Sequence, residues 1–292
     1  MISRRRSALV AAVIAVASTL TACGGSDEKP DNAIRYVALG DSAVAGAGIK
    51  QSDQEPCLRS DHNYPSLVAD ALGVGDFVDV SCPGATTDDV LYGQTQSDGE
   101  PTPPQIEQVT KDTDVVTISI GGNDDQYIPL LFTGCYLRPN NTPATCQAAI
   151  AAITPKLPEI KTNIMGVIDE IKKQAPSAQV VVVTYLPIAP ESGTCAAFEL
   201  GGDDLKAAAA AERAISATMQ QAAEASGVQV LSMTDAAEGH DACSGTRTAW
   251  TNAIDVAPGD GTFLHPRAVG AEAVAKALEP LVKAKLTAPA AG

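Results

Sequence analysis

Five short apolar runs, spaced apart by helical pattern, constrain this chain more than any other feature. They are Ile34 to Leu39, Asp76 to Ser81, Asp114 to Ile120, Gln179 to Tyr185 and Val228 to Met233. Each is rich in β-branched residues and short enough for a strand buried on both faces. Helical pattern fills the intervals. It covers Tyr64 to Leu72, a long stretch from Pro143 to Gln174 interrupted near Pro155 and Pro158, and an Ala-rich stretch from Asp203 to Ser226 that Gly227 should stop. A last helix is expected from Pro266, since proline fits the first helical position. Such alternation predicts an α/β fold, a parallel sheet with helices on both faces.

The first 33 residues read differently. Arg4, Arg5 and Arg6 precede the apolar run Ala8 to Leu20, which is too short to span a bilayer comfortably. Leu20-Thr21-Ala22-Cys23 then resembles a bacterial lipobox, with small residues directly before a cysteine. That resemblance implies a lipoprotein signal peptide over 1–22 and lipidation of Cys23. Residues 23–33 are polar and contain Pro and Gly, as a flexible tether does. One domain, 34–292, remains, and no second boundary or repeat is legible in it. The expected location is extracytoplasmic, anchored by lipid to the outer face of the cell membrane or secreted.

The formal net charge of the 292-residue chain is −15, and the signal would take three arginines with it. Such a chain is repelled by nucleic acid and by anionic membranes, so no nucleic-acid partner is expected. Membrane contact is expected only through Cys23, and the chain is expected to be a monomer. Six further cysteines, Cys57, Cys82, Cys135, Cys146, Cys195 and Cys243, suggest disulfides outside the cytoplasm, though spacing alone allows 15 pairings. No CxxC pair occurs and His62, His240 and His265 lie far apart in sequence, so no metal site is read.

Three strands run into glycine turns: Gly40-Asp41-Ser42, Cys82-Pro83-Gly84, and Gly121-Gly122-Asn123-Asp124. In a parallel sheet the carboxyl ends of strands share one edge, where ligands bind. Ser42 could therefore supply a nucleophile there. The N–H groups of Ser42 and Gly84, with the Asn123 amide, could donate to an oxyanion. Serine needs a base nearby, and His265, just before Pro266, is the candidate. His62 and His240 read as surface or loop residues. Val44 occupies the last position where a GxSxG elbow needs glycine, and Gly46-Ala47-Gly48 lacks the third glycine of a nucleotide loop.

These four blocks, Gly40-Asp41-Ser42, Gly84, Gly121-Gly122-Asn123-Asp124 and His265-Pro266, resemble in residue and order the SGNH (GDSL) hydrolases. Ala43 stands where the family name has leucine. The stretch Cys57 to Pro65 resembles the secreted actinomycete esterases and lipases of that family. The resemblance covers the whole mature domain. It implies a three-layer flavodoxin-like fold with five parallel strands in the order 2-1-3-4-5. It also implies hydrolysis of lipid or other acyl esters through an acyl-enzyme at Ser42, without a cofactor. Removal of acetyl groups from a polysaccharide or cell-wall glycan is the alternative, and a non-catalytic ligand-binding lipoprotein a further one. Three sequential disulfides are implied: Cys57–Cys82, Cys135–Cys146 and Cys195–Cys243. Most members carry Asp three residues before the histidine, where this chain has Thr262. Two groups could orient His265 instead: the main-chain carbonyl of Thr262, which is the expected one, or the carboxylate of Asp260.

Overall fold

The computed structural model describes residues 34–50, 56–95, 99–139 and 141–286. The signal-peptide and tether readings, with Cys23, lie outside the described residues. Five strands form one parallel sheet: β1 (Arg35–Gly40), β2 (Asp76–Asp79), β3 (Val115–Ser119), β4 (Gln179–Val183) and β5 (Gln229–Leu231), in the order β2-β1-β3-β4-β5. This is the arrangement implied by the resemblance.

The central strands read as unbroken apolar runs because both faces are covered. Val37, Leu39, Val116, Ile118, Val180 and Val182 point to one core. Tyr36, Ala38, Val115, Val181 and Val183 point to the other. Two helices cover the first face. In α6 (Leu157–Gln174), Ile160, Ile164, Val167, Ile168 and Ile171 form one buried stripe at helical spacing. The Ala-rich α7 (Gly202–Ala225) packs beside it. On the second face, α2 (Tyr64–Leu72) contributes Val68 and Ala69, and α8 (Ala268–Leu286) contributes Val274 and Leu278. Among the described residues the other α-helices are α1 (Ser42–Ala45), α3 (Thr87–Tyr92), α4 (Tyr127–Leu131) and α5 (Pro143–Ile153). A short 3₁₀ turn, Thr154–Lys156, separates α5 from α6, where the prolines interrupt the pattern.

Two details differ from the sequence reading. Ser42 opens a short helix, not an open loop. The last helix begins at Ala268, not at Pro266, because Pro266 is held in an antiparallel bridge with Thr251. The disulfides join Cys57 to Cys82, Cys135 to Cys146 and Cys195 to Cys243.

Candidate active site

The chain leaves β1 for β2 at one edge of the sheet, then crosses back to β3 on the other side of β1. The crevice between the ends of β1 and β3 is therefore a topological switch point. Gly40 closes β1 with φ of +150°. A Cβ there would lie 2.3 Å from Val44 Cγ2 and 2.6 Å from the Ser119 carbonyl, so only glycine fits. Its N–H donates to Gln105 Oε1 (2.8 Å) and its carbonyl accepts from Gln105 Nε2 (2.9 Å). A buried glutamine side chain thus pairs with this glycine as a neighbouring strand would. Asp41 follows as the N-cap of α1, its Oδ1 accepting the Ala43 N–H at 2.9 Å. Ser42 takes the first helical position, so its N–H has no acceptor within the helix.

His265 reaches this turn from 223 residues along the chain, and Nε2 lies 2.7 Å from Ser42 Oγ. Nδ1 lies 2.8 Å from the carbonyl of Phe263. A carbonyl can only accept, so the proton sits on Nδ1 and Nε2 is the acceptor for the serine hydroxyl. Phe132 meets the imidazole edge-on at 6.1 Å between ring centroids. Burial holds the His265 pKa below the ordinary histidine value, and the Phe263 hydrogen bond opposes that shift.

Neither expected orienting group serves the ring. The Thr262 carbonyl accepts the main-chain N–H of His265 at 3.3 Å. Leu264 adopts a left-handed backbone, φ +58°, which brings the carbonyl two residues before the histidine onto Nδ1. Asp260 is occupied elsewhere. Its Oδ2 accepts from Arg267 Nε (2.8 Å) and its Oδ1 from the Ala268 N–H (2.9 Å), at the start of α8.

Asn123 lines the same cleft, with Nδ2 donating one hydrogen to the Ala85 carbonyl at 3.0 Å. That bond leaves its second amide hydrogen available. It also ties the Asn123 turn to the turn after β2. Gly84, beside Ala85, has φ of +79° and is exposed, and it is not among the residues that line the cleft. The Cys57–Cys82 disulfide and a hydrogen bond from the Cys82 N–H to the Gly40 carbonyl (3.0 Å) hold this turn against β1. Asp124 accepts from Thr87 N–H (2.8 Å), Thr87 Oγ1 (2.6 Å) and Asn163 Nδ2 (3.3 Å), which fastens the third turn to α3 and α6. His62 is hydrogen-bonded to Asp61, and His240 stacks on Trp250 at 4.0 Å. Neither lines the cleft.

The cleft opens to solvent. Ile128, Phe132, Leu186, Ile188, Ile215 and Leu264 give it an apolar wall. Glu212, a buried carboxylate, is also among the lining residues. It accepts from the Tyr136 hydroxyl and from the N–H groups of Ile188 (2.8 Å) and Ala189 (3.1 Å), and burial pushes its pKa to about 7. Sequence reading missed Gln105, Phe132, Phe263 and Glu212. No local pattern marked any of them; even Glu212 stands beside Arg213 in an Ala-rich helix that carries other charges.

Residues 38–273 match the family described as GDSL-like lipase/acylhydrolase. The chain is 29% identical over 295 residues to lipase 2 of Streptomyces coelicolor, covering 94% of this chain and 95% of that one. The crystal structure of the extracellular lipase of Streptomyces rimosus superposes with a TM-score of 0.72 at 31% identity, covering 87% of this chain and all of that one. The structure of phospholipase A1 from Streptomyces albidoflavus gives 0.71 at 28% identity, covering 87% and 99%.

Proposed function

This chain belongs to the GDSL-like lipase/acylhydrolase family and is a carboxylic ester hydrolase; we propose that it works through an acyl-enzyme at Ser42. The observation that carries this reading is the 2.7 Å hydrogen bond between Ser42 Oγ and His265 Nε2 on the wall of the cleft. Ser42 Oγ attacks the ester carbonyl carbon while His265 takes its proton. The tetrahedral oxyanion receives the Ser42 and Gly84 N–H groups and the free hydrogen of Asn123 Nδ2. The carbon–oxygen bond to the alcohol breaks, and His265 returns the proton to that alcohol. Water then attacks the acyl-enzyme, with His265 again as base, and frees Ser42. The Phe263 carbonyl fixes the tautomer throughout. Being neutral, it stabilises the imidazolium less than a carboxylate would.

The preferred substrate is an ester with an aliphatic acyl chain. The apolar wall from Ile128 to Leu264 supports this, because a bare acetyl group would leave most of that surface unburied. The three disulfides support an oxidising, extracytoplasmic compartment for the folded chain. The finer reading is a lipoprotein, cleaved before Cys23 and held to the outer face of the membrane by a lipid on that residue.

Hydrolysis of p-nitrophenyl acetate, butyrate and palmitate, with Ser42→Ala as control, tests both parts. The longer esters should show the higher kcat/KM, and a fluorophosphonate probe should label wild type at Ser42 only. Labelling elsewhere removes the assigned nucleophile. A strict preference for acetate removes the acyl-chain reading.

A further inference from the structure

Tyr185 follows β4 and is reached by neither the nucleophile motif nor the histidine motif. Its hydroxyl nevertheless sits between two of the turns that build the site. It donates to Asp41 Oδ2, across 144 residues of chain, and accepts the N–H of Gly122 at 2.9 Å. Burial and the adjacent Asp41 carboxylate raise its pKa well above the ordinary phenol value, so the hydroxyl keeps the proton it donates.

Asp41 is thus held at both oxygens. Oδ1 caps the helical turn that begins at Ser42, and Oδ2 is held by Tyr185. Gly122 directly precedes Asn123, and its carbonyl accepts the Ile128 N–H at 2.8 Å, which pins the turn from its other side. A single oxygen atom therefore bridges the turn bearing Ser42 and the turn bearing Asn123, just beyond the point where strand pairing ends with the Asp41 N–H on the Ser119 carbonyl at 3.3 Å. A Cβ on Gly122 would lie 2.8 Å from that oxygen and 3.0 Å from Tyr185 Cζ, so the contact has no slack.

We propose that Tyr185 is a positioning residue for ester hydrolysis: its hydroxyl joins the Asp41-Ser42 turn to the Gly122-Asn123 turn and so holds the oxyanion donors at the distance the transition state requires. This rests on the Ser42 and Asn123 roles proposed above. A donor displaced by about 1 Å can cost 10²-fold in rate without touching substrate binding. The hydroxyl itself does not meet the reacting atoms, so the effect travels through Asp41 and Gly122.

The test is kinetic, on the full chain with p-nitrophenyl butyrate, with rates divided by the concentration of sites a fluorophosphonate probe can titrate. Tyr185→Phe should lower kcat per titrated site by about 10- to 100-fold, with KM within about twofold, as for a group acting in the transition state. Asn123→Ala combined with Tyr185→Phe should fall by less than the product of the two single losses, since both act on the same donor. A merely structural role would lower the titratable fraction and the melting temperature while kcat per site stayed at the wild-type value, and that result overturns the proposal. Fully multiplicative losses overturn it as well. Gly122→Ala is the second variant. Its backbone angle is open to alanine, it keeps the tyrosine, and it should reproduce the kcat loss by pressing on the hydroxyl; if Tyr185→Phe does not fold, normal kcat in Gly122→Ala rejects the proposal. Activity retained in Ser42→Ala would instead break the underlying mechanism, so the two failures are distinguishable.

Discussion

The nucleophile is held at the end of a sheet strand and its base on an irregular loop. Ser42 sits two residues beyond the end of a central strand. Its turn is braced from elsewhere in the chain by the Gln105 side chain on Gly40, the Tyr185 hydroxyl on Asp41 and the Cys82 N–H on the Gly40 carbonyl. His265 lies on a segment without regular helix or strand. It is shaped by near neighbours, namely the Phe263 carbonyl, the left-handed Leu264, the Asp260–Arg267 ion pair and the Thr251–Pro266 bridge, and it is tied to the segment after α1 by the Lys50 N–H on the Gly259 carbonyl (2.7 Å) and the Gly261 N–H on the Gly48 carbonyl (2.9 Å). A strand end inherits its position from the sheet, so its surroundings are many and distant. A loop lacks the repeated ladder of a sheet, so each of its few contacts, near or distant, matters individually.

The two regions should nevertheless fail together. Ser42→Ala and His265→Ala should each lower kcat by about 10⁶-fold, and the double variant should lose little more, because nucleophile and base act as a unit. Steady-state rates on a short p-nitrophenyl ester check this. Multiplying losses would mean the two halves act separately.

Asn123 belongs to the braced region but acts only on the transition state. Asn123→Ala should lower kcat by about 10²–10³-fold, with KM nearly constant. A rise in KM alone would make it a substrate-binding residue.

The pH profile reads the base side. Burial lowers the folded His265 pKa, so the neutral base persists to lower pH than for a free histidine. The acid limb of kcat/KM should therefore have its midpoint below about 6.5 and fall about tenfold per pH unit beneath it. A midpoint above 6.5 would point to an unrecognised anion beside the imidazole. Asp41, which burial pushes up to about 6, is the nearby carboxylate on the nucleophile side.

The smallest effect is expected at Asp260. Because it braces the loop and does not touch the ring, Asp260→Asn should keep kcat within about tenfold, whereas a true triad aspartate would lose about 10⁴-fold. It should cost about 1 kcal/mol of stability through the weakened Arg267 and Ala268 contacts, read as a lowered urea midpoint. A 10⁴-fold loss with the fold intact would move the orienting role back to the carboxylate.

Sequence alone was enough for the strand count, for α2 and the helices from α5 to α7, and for Ser42 and Asn123 at strand ends on one edge; His265 is legible only as a base before Pro266 and through its family block. Those are consequences of local composition: apolar β-branched runs make buried strands, and glycine turns close them. Strand ends shifted by a residue or more, as at Tyr185, which reads as the end of a strand and lies beyond β4. Hydrogen bonding to the neighbouring strand decides where pairing stops, and that neighbour is distant in sequence. The orienting group of His265 shows the same limit over a shorter range. The spacing suggested Thr262 or Asp260, but one left-handed residue, Leu264, turned the Phe263 carbonyl onto the ring. A buried leucine has no intrinsic preference for that conformation; the packing around it imposes it. Tertiary structure alone decided which carbonyl meets the base, and which side chains, Gln105, Tyr185 and Phe132, surround the nucleophile. Such contacts depend on where separate segments meet, and no local pattern records that.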